Sequence, residues 1–228
     1  MKRLKQLMWW GLVVAVLLPA GPLLAGDIDL TALIHETQKM SQKPDEMDLV
    51  WWIPEEFWIA SFAQNKEMTA KQVDEFLKVV RPYTMVAVVN GSIGAFGAVT
   101  YKPEEWVRAN TRLIDAQGKT YAPRTDEEID ASTKNMLQMI KPVLANILGP
   151  MGKNFHFLLF PAKTAAGGGI APAKEKGQFT VRLGEKNFKW RLPLDSVLPA
   201  KVCTGCGQEG KGSWSFCPWC GKKLSTKE

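Results

Sequence analysis

All four cysteines of this chain converge on one short stretch near its end, and that stretch limits what the chain can fold into more than any other feature. They form two C-x-x-C pairs, Cys203-Thr-Gly-Cys206 and Cys217-Pro-Trp-Cys220, separated by ten residues. Paired knuckles of this kind present two thiolates each at a spacing that suits one tetrahedral zinc ion. Two other uses of the thiols stay open at this point. In an oxidising compartment four cysteines can pair as disulfides in three ways. Cys217-Pro-Trp-Cys220 also has the form of a redox dithiol, but such a motif opens a helix after a strand. Gly221-Lys222-Lys223 stands where that helix would begin.

Gly207 and Gly221 each follow the second cysteine of a knuckle. Glycine there permits positive φ and lets backbone N–H groups approach sulfur, which spreads the thiolate charge. Lys201, Lys211, Lys222 and Lys223 are near enough in sequence to offset the double negative charge of a zinc tetrathiolate. Trp214, Phe216 and Trp219 are expected to form a miniature core beside it. With these residues in view, positions 203–221 resemble the zinc-ribbon superfamily, most typically in the half Phe216-Cys217-Pro218-Trp219-Cys220-Gly221. The resemblance covers about a tenth of the chain and does not extend to residues 26–200. It implies one structural Zn2+ per chain, with Cys203, Cys206, Cys217 and Cys220 as ligands and no open coordination position. It implies no reaction.

The other end of the chain carries a targeting pattern. Lys2-Arg3-Leu4-Lys5 is a positive segment, residues 7–18 are almost wholly apolar, and Pro19, Gly21 and Pro22 then interrupt any helix. Ala25 before Gly26-Asp27 offers a small residue for cleavage. This is the layout of a signal peptide. The alternative is an uncleaved anchor, since residues 7–25 are nearly long enough to span a bilayer. Both readings leave the positive end inside and the body outside the cytoplasm, periplasmic or secreted. The formal charge of +6 includes Lys2, Arg3 and Lys5, which leaves +3 for the rest. That balance, without a basic run or a basic helix face, gives no reason to expect a nucleic-acid partner.

The chain as a whole has the composition of a folded protein, with 46% apolar and 23% charged residues. Nine tryptophans and ten phenylalanines supply a large core. Residues 27–42 read as a short helix or extended lead-in, 41–46 as a polar break, and 49–53 as an apolar run. Pro54-Glu55-Glu56 reads as a first helical turn. Thr69-Ala70-Lys71-Gln72 is a capping box that opens a helix ended by Arg81-Pro82. Residues 84–89 predict a buried strand, Asn90-Gly91 a hairpin turn, and 93–101 its partner strand. Residues 106–115 predict a third strand, 115–119 a turn, and 120–122 a return to the sheet. Thr125-Asp126-Glu127-Glu128 predicts a helix to about residue 148, kinked at Pro142. Residues 155–160 predict a strand, 162–177 a mobile loop, and 178–183 with 188–192 a hairpin. Close hairpins without regular helix–strand alternation predict an α+β fold: a largely antiparallel sheet with packed helices, followed by a small zinc ribbon. The expected divisions are 1–25, 26–200 and 201–228.

Candidates for chemistry in the body are few. His156 lies in an apolar strand and reads as a buried, hydrogen-bonded histidine, and His35 as a solvated one. Glu55 and Glu56 beside Trp51, Trp52 and Trp58, and Glu104-Glu105-Trp106, have the elements of a carbohydrate site. They read better as helix N-termini above an aromatic core. Residues 91–97 are glycine-rich but lack the features of a phosphate loop. The chain therefore reads as an exported envelope protein with a structural zinc ribbon and a non-enzymatic binding module, its partner a protein or a small ligand. The alternative is an envelope enzyme acting on glycans or another extracytoplasmic substrate. Metal handling through the cysteines is a third reading.

Overall fold

The computed structural model describes residues 28–41, 43–64 and 68–224; the leader predicted at 1–25 lies outside them. Helix α1 (Leu30–Thr37) starts where the Asp29 carboxylate accepts the N–H groups of Thr31 and Ala32. It runs directly into β1 (Gln38–Met40), which pairs with β2 (Leu49–Ile53). After Pro54 come α2 (Glu55–Gln64) and α3 (Ala70–Val80). The Thr69–Gln72 capping box is formed, so the sequence signal and the helix start agree. Strand β3 (Tyr83–Val89) is followed by the small hairpin β4 (Gly91–Ile93) and β5 (Val99–Tyr101). Then come α4 (Glu104–Asn110), β6 (Thr111–Ile114) and β7 (Thr120–Tyr121). Helix α5 (Ala131–Leu148) continues through Pro142. Strand β8 (His156–Pro161), the hairpin β9 (Gly177–Leu183) and β10 (Lys186–Leu192), and the short β11 (Lys201–Val202) and β12 (Glu209–Gly210) complete the order.

Every ladder is antiparallel, and the fold class is α+β. One four-stranded sheet has the order β1-β2-β3-β8, and a second the order β10-β9-β6-β7. The register Trp52↔Val86↔Leu158 sets these three side chains on one face of the first sheet, and Trp51↔Ala87↔Phe157 sets the next three on the other. Trp51 meets Phe57 of α2 at 5.0 Å between ring centroids, whereas Trp52 meets Phe179 of the second sheet at 4.9 Å. The first sheet is thus covered by helices on one face and by the second sheet on the other. That is why all five residues of β2 are buried and its sequence does not alternate. The second sheet turns Phe179, Val181, Leu183, Phe188, Trp190 and Leu192 inward and leaves the alternate residues to solvent. Phe179 and Trp190 stack at 5.0 Å.

Four expectations need correction. Asn90-Gly91 is not the hairpin turn. Both edges of β3 are taken by β2 and β8, and Asn90 is held by donating to the Asp48 carboxylate at 2.5 Å. The turn falls instead at 94–98, where Gly97 has φ +79° and the Gly94 N–H donates to the Ala98 carbonyl. The strand expected over 106–115 begins as helix α4. Pro103-Glu104-Glu105 is a helix start of the same kind as Pro54-Glu55-Glu56, and Thr111 Oγ1 closes the helix on the Val107 carbonyl at 2.6 Å. The helix expected from Thr125 is only a single 3-10 turn (Asp126–Glu128) before α5. Ile129 leaves helical geometry to enter the core, and Asp130 is engaged by the Tyr83 hydroxyl. The segment 162–177, expected to be a mobile loop, is packed against the body and ends at 176, where β9 takes over. Ile170 and Ala173 are buried in the core, and backbone bonds run from Ala162 to Pro82 and from Leu194 to Ala173.

Candidate metal centre

The cysteine module is built from two knuckles that repeat one another. In the first, the Gly207 N–H donates to the Cys203 carbonyl at 2.9 Å and the Cys203 N–H to the Gln208 carbonyl at 2.9 Å. In the second, Gly221 bonds Cys217 at 2.9 Å, and Cys217 bonds Lys222 at 2.8 Å. Gly207 and Gly221 share φ +73°, the left-handed region that explains a glycine at both positions. The knuckles face each other, so the closest sulfurs belong to different pairs: Cys203–Cys220 at 3.5 Å and Cys206–Cys217 at 3.6 Å. All four Sγ atoms lie within 4.8 Å of one another. A zinc ion with Zn–S bonds of about 2.3 Å sets its ligands about 3.8 Å apart, so these separations fit a tetrahedral tetrathiolate. They are far longer than the ~2.05 Å of a sulfur–sulfur bond.

Crowding separates the thiols electrostatically. Backbone N–H groups of Cys206 and Gly205 hold the Cys203 thiol down at about 6. Cys206 receives the Gln208 N–H, but burial and the neighbouring Cys217, Cys220 and Cys203 thiols outweigh it and push Cys206 up to about 12. Four thiolates this close repel one another, and a divalent cation among them would supply the compensating charge.

The miniature core differs from expectation. Cys203, Cys217 and Leu224 are buried, with Trp214 packed on them. Phe216 and Trp219 are instead 61% and 59% exposed. The Trp214 ring lies close over the strand-paired backbone of Gly210, where a Cβ would stand 3.1 Å from it. The module is tied to the body through Asp195, whose carboxylate accepts the N–H and the hydroxyl of Ser213 and pairs with Lys211 at 3.1 Å. Asp195 and Ser196 are in turn fixed by the Glu36 carboxylate of α1, at 2.6–3.1 Å. Lys201 donates to the Trp214 carbonyl at 2.8 Å.

The structure does not gather the body's candidates into one cleft. Glu55 pairs with Arg81 at 2.7 Å, and Glu56 lies 3.7 Å from Lys174. Both border a small cavity of about 180 Å³ between the ends of β2 and β3 and the loop 162–176. Trp51, Trp52 and Trp58 are buried in the core and present no stacking face to solvent. His35 is exposed. His156 is buried, as expected, but its Nδ1 stands 3.4 Å from Glu104 Oε2, outside hydrogen-bond geometry, and neither ring nitrogen has a hydrogen-bond partner. Glu104 also meets Arg108 at 3.4 Å and Lys141 at 3.5 Å. His156, the nearest of these groups in effect, and then Lys141 and Arg108 hold the Glu104 carboxyl at about 2. The pairing of Glu104 with His156 was not readable in sequence, because 51 positions and three elements, β6, β7 and α5, separate them. It joins α4, α5 and β8.

The chain matches no family model, no curated protein and no solved structure. Among the described residues no helix is long and apolar enough to cross a membrane.

Proposed function

We propose that this is an exported protein in which Cys203, Cys206, Cys217 and Cys220 hold one structural zinc ion, and in which the α+β body acts as a non-enzymatic binding module. The observation that carries the reading is the convergence of all four sulfurs within 4.8 Å on two knuckles of matching backbone geometry. A site with four protein ligands leaves no position for a water or substrate, which supports a structural rather than a catalytic ion. The ion would fix the ribbon, and through Ser213 and Lys211 the ribbon bears on Asp195 and α1. The export part of the reading rests on Lys2-Arg3-Leu4-Lys5, the apolar stretch after it and Ala25.

Two experiments test it. Alkaline phosphatase fused after residue 228 reports which side of the membrane the C-terminus reaches, and activity there is the expected result. Cys217→Ser is expected to lower bound zinc from one per chain to well below one. An expressed but inactive fusion, its phosphatase kept without disulfides in the reducing cytoplasm, would sink the export reading. Full zinc content in Cys217→Ser would sink the metal reading.

A further inference from the structure

The outer face of the second sheet carries a charge pattern that no linear stretch of the sequence shows. On this face β10 presents Asn187, Lys189 and Arg191, and β9 presents Gln178, Thr180 and Arg182. Beside them β6 presents Arg112 and Ile114, and β7 presents Thr120. Four of these nine positions are cationic and none is acidic. Arg112 stands directly opposite Arg182 in the ladder, an arrangement that costs stability because like charges face each other across the strands. Arg112 satisfies itself on backbone carbonyls at the end of α4, at 2.7 and 2.9 Å. Arg182, Lys189 and Arg191 are exposed and have no carboxylate at ion-pair distance among the described residues. The opposite face of these strands packs Leu113, Phe179, Val181, Leu183, Phe188, Trp190 and Leu192 into the core, so the cations sit on the one open face of the sheet.

We infer that this face binds the phosphate-rich surface of an anionic lipid bilayer. Charge complementarity names the partner's sign: neighbouring strands are about 4.8 Å apart and alternate residues about 6.8 Å apart along a strand, so Arg182, Lys189 and Arg191 form one patch of unpaired positive charge across two strands, bordered at its Arg182 end by a shallow depression that Arg112 and Glu185 also line. The face carries no aromatic residue, and so has no platform on which the bases of a single-stranded nucleic acid would stack. The choice of a bilayer rests on the export reading, because an exported chain is delivered to the surface of the membrane it has crossed; the charge pattern itself does not depend on that reading or on zinc.

The test compares the full-length chain with two triple variants of equal net charge. Arg182→Glu/Lys189→Glu/Arg191→Glu reverses the sheet face. Lys71→Glu/Lys153→Glu/Lys163→Glu reverses exposed cations elsewhere. Each is sedimented with phosphatidylcholine vesicles, and with vesicles carrying three-tenths phosphatidylglycerol, at about 50 and 300 mM salt. One basic residue near such a surface contributes about fivefold to partitioning. The sheet-face variant is therefore expected to lose the phosphatidylglycerol-dependent binding by about a hundredfold, and high salt to weaken the native chain strongly. The second variant is expected to bind as the native chain does. Equal loss in both variants would reduce the effect to net charge and overturn the inference. No loss in the sheet-face variant would overturn it too, as would a duplex oligonucleotide bound through these residues while vesicles are ignored. Zinc content of the same samples is read independently, so failure here is distinct from failure of the metal centre.

Discussion

Asp48 has no exposed side-chain surface, and its carboxylate is held by Lys186 Nζ at 2.5 Å and by the Asn90 amide at 2.5 Å. Lys186 also meets Glu46 at 2.8 Å. This pair joins the entry of β2 to the start of β10, and so fastens the two sheets at one corner. Lys186→Met leaves a buried carboxylate with the Asn90 amide as its remaining side-chain donor. Removing one partner of a buried pair costs about 3–5 kcal/mol. The Lys186 side chain is 35% exposed, so water reaches that end, and we expect the lower part of the range, about 3 kcal/mol. For a chain of this size that lowers Tm by about 6–12 °C. Asp48→Asn combined with Lys186→Met removes the charge with its partner and is expected to recover most of the loss. Urea unfolding followed by tryptophan fluorescence measures both. A Lys186→Met cost under about 0.5 kcal/mol, or a double variant no more stable than the single one, would refute the reasoning.

Three further outcomes are expected. The Glu104 carboxyl, held at about 2 against an ordinary 4.5, binds protons more weakly folded than unfolded. Its contribution is therefore present above about pH 4.5 and is lost as the pH falls toward 2; because the side chain is 40% exposed, solvent screening limits it to about 1 kcal/mol. Glu104→Gln should be less stable by that amount at pH 7 and flatter across this window in acid unfolding; an unchanged profile would contradict the assignment. Gly212→Ala drives a Cβ into Leu198 Cβ and places it 2.7 Å from the Pro199 carbonyl oxygen, and should destabilise the seat of the cysteine module by about 1–3 kcal/mol. Gly205→Ala meets chiefly the flexible end of Lys222, 2.8 Å away, and should retain zinc and near-native stability, so that equal behaviour of the two variants in thermal unfolding would count against the described seat.

The parts of the structure that were readable in sequence are those set by local chemistry. The Thr69 box, the β9–β10 hairpin and the C-x-x-C knuckles each depend on residues a few positions apart. What was misread depends on tertiary competition. Asn90-Gly91 is a strong turn signal, yet β3 already had two partners, and no local pattern reports that. Ile129 interrupts a well-capped helix because the core takes it. At Glu104 two local signals conflict: Glu104-Glu105-Trp106 reads as a helix N-terminus, while the aromatic and β-branched residues from 106 onward read as a strand, and the helix holds as far as Asn110. The convergence of the four cysteines was readable, but the exposure of Phe216 and Trp219 was not, because no local pattern tells which aromatic packs against Leu224. The basic sheet face is assembled from three strands and left no linear run to detect.

Intact mass of the recovered protein under native and denaturing conditions tests the central claim most directly. The account predicts one zinc ion per chain in the native spectrum, four thiols open to alkylation after denaturation in the presence of a chelator, and a chain beginning after Ala25. A native mass without zinc, together with a denatured mass lower by two disulfides, would contradict it and make the four cysteines a covalent staple.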